Sequence, residues 1–243
     1  MNIFSTLKNK IKKNAFIPTL PWGLISPFFI TRKILANSIS RESASIYGSV
    51  LDYGCGSKPY KSLFNYREYV GVDIDNPGHS HESENVDIFY DGLNLPFANN
   101  TFDSCFSSEV FEHIFDIDTA LKEIKRVLKT NGKLLITTPF VWDEHEVPHD
   151  YCRYTSFGLK NVLERNGFTV LTYQKSGSFL ELIAQMILVY LNRKMGSHKI
   201  FKFPFLLFMC PVINILTLIN FKFKIPDQSI YLSHVVLAQK NKG

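Results

Sequence analysis

Paired cysteines are missing from this chain. Its four cysteines, Cys55, Cys105, Cys152 and Cys210, lie far apart with no CxxC pair. That spacing argues against a zinc ribbon and gives no disulfide framework, so a reducing cytosol is the expected compartment. No secretory signal is expected either, because the apolar stretch after the basic start is broken by Pro18, Pro21 and Pro27. Acids are absent from residues 1–41, which carry seven Lys/Arg, and scarce in 176–243, where eight Lys/Arg face Glu181 and Asp227 alone. The middle, 42–175, holds twelve bases and twenty acids. An acidic core between two basic ends suggests that the ends face something anionic: a lipid headgroup, a phosphate-bearing substrate or nucleic acid. Nucleic acid is disfavoured, since no basic stretch with interleaved aromatics runs into the core.

What is present is a glycine turn between apolar runs. Val50-Leu51-Asp52-Tyr53-Gly54-Cys55-Gly56 opens an apolar run into a turn, and Tyr69-Val70-Gly71-Val72-Asp73 ends a second run in an acid. In an α/β fold such a turn lets the backbone approach a nucleoside, and the acid takes its ribose hydroxyls. The dinucleotide fingerprint needs a third glycine where Pro59 stands. The loop is therefore a poor pyrophosphate cradle, and Asp52 suits an amine-bearing ligand better than a diphosphate.

Strands are expected over 49–53, 69–74, 85–90, 102–107, 133–138, 168–174 and 230–239. Helices are expected at about 31–47, near 59–64, over 117–128 ending at Asn131-Gly132, and over 156–166. This alternation predicts an α/β, Rossmann-like doubly wound seven-stranded sheet with an antiparallel last strand. A basic, apolar N-terminal extension (1–41) precedes a main domain (42–243), and Ile3, Leu7 and Ile11 predict a short basic amphipathic helix over 2–14. Residues 178–226 form an apolar insertion before the last strand. Phe203–Phe221 has no charge, but Pro204, Pro211, Asn214 and Asn220 weaken a spanning helix. A helical hairpin that packs on the domain or dips into a membrane interface is expected.

The turn Leu51-Asp52-Tyr53-Gly54-Cys55-Gly56 resembles the first motif of class I S-adenosylmethionine-dependent methyltransferases. Three further stretches resemble the small bacterial methyltransferases called type 11: Tyr90 to Phe97 with Asn99 to Asp103, Ser107 to His113, and Arg126 to Lys133. The resemblance covers about residues 48–140 and implies S-adenosyl-L-methionine as cofactor. It implies that Asp52 and the backbone of Gly54 and Gly56 hold the methionine end, and that Asp73, with Ile74, takes the ribose. Asp91 is then placed at the adenine amino group, Gly92 and Leu93 beside the ring, and Ser108 and Glu109 near the cofactor.

The stretch Trp142 to Thr155 follows the fifth strand, on the sheet edge where ligands bind. It is too polar for a core and too aromatic for an idle loop. His145 or His149, oriented by Asp150, would deprotonate an acceptor hydroxyl. Arg153 would hold an acceptor carboxylate or phosphate, with His113, Trp142, Tyr151 and Tyr154 as further acceptor contacts. Two other readings stay open: a metal site from Glu144, His145, His149 and Asp150, and a lid closed by an Asp150–Arg153 ion pair. No residue is assigned to a metal. His149 to Thr155 also looks like a pattern of methyltransferases from bacterial surface-polysaccharide clusters. The expected activity is O-methylation of a sugar or glycan intermediate. A lipid-like acceptor such as a quinone precursor, or a non-catalytic cofactor-binding scaffold, are the alternatives. The basic ends predict a cytoplasmic protein held at the inner face of the membrane through 1–41 and 178–226; the alternative is that 1–41 packs over the cofactor as a lid with its lysines solvated.

Overall fold

A computed structural model of the protein describes residues 15–75, 85–196, 198–223 and 227–242, so the helix expected over 2–14 lies outside the described residues. Seven strands form one sheet: β1 (Ser49–Tyr53), β2 (Glu68–Ile74), β3 (Ile88–Tyr90), β4 (Phe102–Ser108), β5 (Leu128–Pro139), β6 (Phe168–Ser176) and β7 (Ser233–Lys240). Their order is β3-β2-β1-β4-β5-β7-β6. Pairs β1–β2, β1–β4, β2–β3 and β4–β5 are parallel, and β7 runs antiparallel to β5. The expected mixed seven-stranded fold is the one observed.

The apolar runs explain the core. Every residue of β1 is buried, as a strand covered on both faces requires. The helix α2 (Ile117–Val127) lays Ile117, Leu121 and Ile124 on the core. Its N-terminus is closed by Asp116, whose carboxylate accepts from the Thr119 amide at 3.1 Å. From β1 the chain runs outward through β2 and β3, then crosses back to β4 on the other flank. That reversal leaves a crevice beyond the carboxyl ends of the central strands.

Local boundaries differ where turn chemistry is ambiguous. Helix α2 ends at Val127, before the expected Asn131-Gly132, and β5 starts at once. The pairing then jumps from Phe102–Leu128 to Ser104–Lys133. Asn131, at φ 62°, turns the extra residues through a bulge rather than ending the helix. The helix expected near 59–64 is a single 3₁₀ turn, Lys61–Leu63.

The chain divides into two compact units. One comprises Ser38–Lys175 with Ser233–Gly243 and contains nearly the whole sheet and helices α2 and α3 (Ser156–Arg165). The other joins the residues up to Asn37 with Ser176–Leu232. It contains most of α1 (Phe29–Glu42), α4 (Phe179–Met195), α5 (Lys199–Pro204), a π-helical turn (Phe205–Met209) and α6 (Cys210–Phe223). Two wholly buried amides bind the extension to the insertion within this unit. Gln185 donates to the Pro27 carbonyl at 2.8 Å and accepts from the Thr31 amide at 3.0 Å. Asn214 donates to the carbonyls of Leu24 at 2.7 Å and Ser26 at 3.1 Å. Residues Ile200–Ile219 form a stretch long and apolar enough to cross a membrane, by length and composition, and most of it is unburied. A single crossing would place β7 across the bilayer from β5, with which it is hydrogen-bonded.

Candidate functional site

A cavity of about 730 Å³ opens at the carboxyl ends of β1, β2 and β4. Its floor is the glycine turn after β1. Gly54 sits at φ 69°, and a Cβ there would lie 2.5 Å from a Val110 methyl, so only glycine fits. Gly56, at φ 45°, is different: a Cβ would meet nothing within 4 Å, because it would point into open space. The Gly56 amide donates to Asp73 Oδ2 at 2.8 Å, and the Ile74 amide to Asp73 Oδ1 at 2.9 Å. The carboxylate ending β2 is thereby oriented at the cavity wall. Across from it, Asp91 accepts from the amides of Leu93 at 2.8 Å and Asn94 at 2.7 Å. Those amides hold its carboxyl below the usual carboxylate range. Ile74 and Leu93 line the cavity with much of their apolar surface exposed, Leu93 by 60%. Two exposed aliphatic side chains between carboxylates suit a flat heteroaromatic ring.

Two expected cofactor residues lie elsewhere. Asp52, expected at the methionine end, is buried within β1 and does not line the cavity; its Oδ2 accepts from the Tyr69 hydroxyl at 2.7 Å. Burial pushes its carboxyl up to about 7. Strand alternation explains the correction: consecutive residues point to opposite faces, and Tyr53 takes the cavity side. Ser108 also stays off the wall, paired with the Thr137 hydroxyl at 2.8 Å.

The turn after β4 brings three expected residues to one place. Glu109 lines the cavity at φ 54°, a conformation non-glycine residues rarely adopt. Its Oε1 is buried without a hydrogen bond, and burial pushes the carboxyl up to about 7. Glu112 is wholly buried; burial, then the neighbouring charge of Glu109, raises its carboxyl well above the usual range. His113 lines the cavity, and burial lowers its imidazole from the usual value.

The loop between β5 and α3 splits the expected dyad. His145 carries the Asp150 partner, with Nδ1 at 3.3 Å from Oδ2, but it is not on the cavity wall. His149 is on the wall, but its Nδ1 meets the Tyr151 hydroxyl at 3.0 Å instead. Arg153, expected to hold an acceptor anion, lies off the wall. It grips Asp150 through both terminal nitrogens, at 2.5 and 2.7 Å. That guanidinium holds the Asp150 carboxyl down at about 2. The ion pair closing the loop, one of the open readings, is the arrangement found. Trp142 and Tyr154 also lie off the cavity, and Tyr154 packs against the hydrophobic core.

Tyr53, Tyr90, Phe115 and Glu146 line the cavity without having been singled out in the sequence. The Tyr90 hydroxyl donates to that of Tyr53 at 2.7 Å, bridging β3 to β1. Tyr90 stood beside the Asp91 motif, which was the one available signal. Glu146 had none to separate it from Glu144.

Residues 51–136 match the family model described as a methyltransferase domain. A demethylmenaquinone methyltransferase of Corynebacterium urealyticum is 46% identical over 57 residues, 22% of this chain and 25% of that protein. An O-methyltransferase of Aspergillus nomiae is 26% identical over 163 residues, 57% of this chain and 72% of that protein. The chain spans about a quarter to a half of the length of several curated relatives it matches. Among solved structures, a Haemonchus contortus phosphoethanolamine N-methyltransferase in complex with S-adenosyl-L-methionine superposes with TM-score 0.52 at 20% identity. That match covers 86% of this chain and 52% of the other. S-adenosyl-L-methionine is the ligand of that structure, and the residues present here fit it: open space above Gly56, an oriented carboxylate at Asp73, and an exposed aliphatic pair at Ile74 and Leu93. Residues 51–136 thus match a methyltransferase-domain model, and the sheet has the Rossmann-like fold seen in solved S-adenosylmethionine-dependent methyltransferases.

Proposed function

We propose that this protein is an S-adenosylmethionine-dependent methyltransferase acting on a hydroxyl of a polar, polyhydroxylated acceptor such as a sugar or glycan intermediate. The observation that carries the reading is one cavity lined both by the glycine turn with Asp73 and by His113, Glu146, His149 and Tyr151. The cofactor would lie along Gly54, Gly56, Asp73, Asp91 and Leu93, where it supplies an electrophilic methyl group. The chain's own work is positioning and exclusion of water. Glu109, buried and unpartnered at Oε1 beside the turn, and His149 at the wall are the groups placed to take a proton from the acceptor. Titration of the purified protein with S-adenosylmethionine tests the cofactor: micromolar binding is expected, and no binding by folded protein overturns the reading.

A lipid-like acceptor is the second reading. It is favoured by the similarity to a demethylmenaquinone methyltransferase and by the apolar surface of the helical unit. Competing sugar and quinone acceptors in a radiolabelled methyl-transfer assay separates the two.

For the helical unit we infer docking on an anionic phospholipid surface at the cytoplasmic face of a membrane. Trp22, Phe201, Phe203 and Phe208 are each more than half exposed, Ile200 by 83%. The segments that form this unit carry almost all their charge as Lys and Arg. Each Lys near such a surface contributes about 1 kcal/mol.

A further inference from the structure

We propose that Glu112, His113 and His145 bind one divalent transition-metal ion beside the cavity. One carboxylate oxygen and one ring nitrogen from each histidine lie within 4.8 Å of one another, a spread that a single ion can gather. The residues come from two elements, the turn after β4 and the loop after β5. This is not the set suggested by the sequence: His145 recurs, but its companions are Glu112 and His113 rather than Glu144, His149 and Asp150.

The surrounding hydrogen bonds prepare these side chains as ligands. His113 Nδ1 lies 2.8 Å from the His149 carbonyl oxygen, which only an N–H can satisfy. That fixes the proton on Nδ1 and leaves Nε2 with a bare lone pair, 3.7 Å from Glu112 Oε1. His145 repeats the arrangement. Its Nδ1 lies 3.2 Å from the Asp143 carbonyl oxygen and 3.3 Å from Asp150 Oδ2, so its Nε2 is the available nitrogen. The two rings stand edge to face with centroids 4.7 Å apart.

The carboxylate is the independent sign. Glu112 is wholly buried; Oε2 accepts from the Thr138 hydroxyl at 3.3 Å, and Oε1 makes no hydrogen bond. A buried polar oxygen without a partner is costly, and a cation is the partner it lacks. The guanidinium of Arg153 lends its charge to Glu112 but makes no hydrogen bond to it, being committed to Asp150 by two bonds. Glu146 Oε2, 3.5 Å from His113 Nε2, is in reach as a fourth ligand.

Two imidazoles and a carboxylate favour zinc, manganese or iron over magnesium or calcium, and three ligands leave coordination positions open. His113 and Glu146 line the cavity, so those positions serve it. Hydroxyl oxygens of the acceptor would complete the coordination, and a bound hydroxyl would give up its proton more readily to Glu109 or His149 at the same cavity. This use rests on the methyl-transfer reading; the binding of the ion does not.

The test is calorimetric titration of chelator-treated full-length protein with Zn²⁺, alongside His145→Gln, His113→Gln and Glu112→Gln. One equivalent binding at micromolar affinity or tighter is expected, weakened at least tenfold in His145→Gln, which is partly exposed and leaves the core intact. Melting curves accompany each variant, so that unfolding of Glu112→Gln is not mistaken for loss of a ligand. Binding well below one equivalent in the parent protein, or affinity unchanged from the parent protein in both histidine variants, overturns the site. S-adenosylmethionine is titrated into the same metal-free protein. Cofactor binding without zinc binding sinks the metal site alone, and zinc binding without cofactor binding sinks the methyl-transfer reading alone.

Discussion

The Gly56 amide donates to the Asp73 carboxylate at 2.8 Å, tying the turn after β1 to the end of β2. The acid is therefore set in place before any ligand arrives. Charge-assisted hydrogen bonds contribute roughly 1.5–3 kcal/mol each. Asp73→Ala is expected to weaken S-adenosylmethionine binding between about tenfold and a hundredfold in calorimetry. Unchanged affinity would remove Asp73 from the ribose site.

The two glycines of that turn are expected to fail differently. Gly54→Ala drives a methyl into Val110 at φ 69°, so its melting temperature falls with or without cofactor. Gly56→Ala enters open space and bears only the backbone strain of φ 45°, about 1–2 kcal/mol. Its larger effect falls on cofactor affinity. Equal losses of stability and affinity in both variants would contradict the assignment of Gly56 to the cavity.

Asp52 is expected to make stability fall with pH. Its folded value of about 7 lies above the ordinary 3.8 because burial disfavours the charge. The sign follows from proton counting: between these values the native state binds more protons than the unfolded chain. The contribution is complete below 3.8 and lost as pH rises through about 7. The full span is on the order of 4 kcal/mol. Asp52→Asn is expected to raise the melting temperature by several degrees at pH 8 and by less at pH 5. An equal shift at both values would exclude Asp52 as the source.

Arg153 holds the loop over 142–154 through Asp150 rather than an acceptor. Arg153→Ala is expected to speed limited proteolysis within that loop several-fold while leaving cofactor affinity within about twofold. Unaltered cleavage with raised acceptor KM would return Arg153 to substrate binding.

Flotation with phosphatidylglycerol vesicles is expected to carry the protein upward, and phosphatidylcholine vesicles are expected to do so poorly. Phe201→Glu with Phe208→Glu should release it. Equal flotation on both lipids, or retention by the double variant, would refute docking through charge and the apolar helices together.

The sequence was legible where its signals were local. The glycine turn, the acid closing the second apolar run and the strand–helix alternation are each written in a few adjacent residues, and backbone sterics turn them into the same elements wherever they fold. Strand β1 was read to the residue, because the glycine turn closes the run that precedes it. Boundaries slipped where one dipeptide serves two purposes: Asn131-Gly132 ends helices and also turns bulges, and pairing with β4 decided between them.

The site's second half was not legible, because its partners are far apart in the chain. Composition marked the loop 142–154 as chemically active but could not divide His145 from His149. That division depends on which ring reaches Asp150 and which reaches Tyr151. Glu112 stood without a role of its own in the stretch Ser107 to His113, and its burial beside His113 and His145 exists only once β4 and β5 lie side by side. Likewise Asn214 read as a polar interruption of an apolar segment until the N-terminal extension supplies the carbonyls it binds. Sequence by itself determined the elements and the cofactor turn, since those rest on contacts within a few residues. Only the tertiary structure decided which side chains share a wall, because burial and hydrogen-bond partners across long separations are properties of packing.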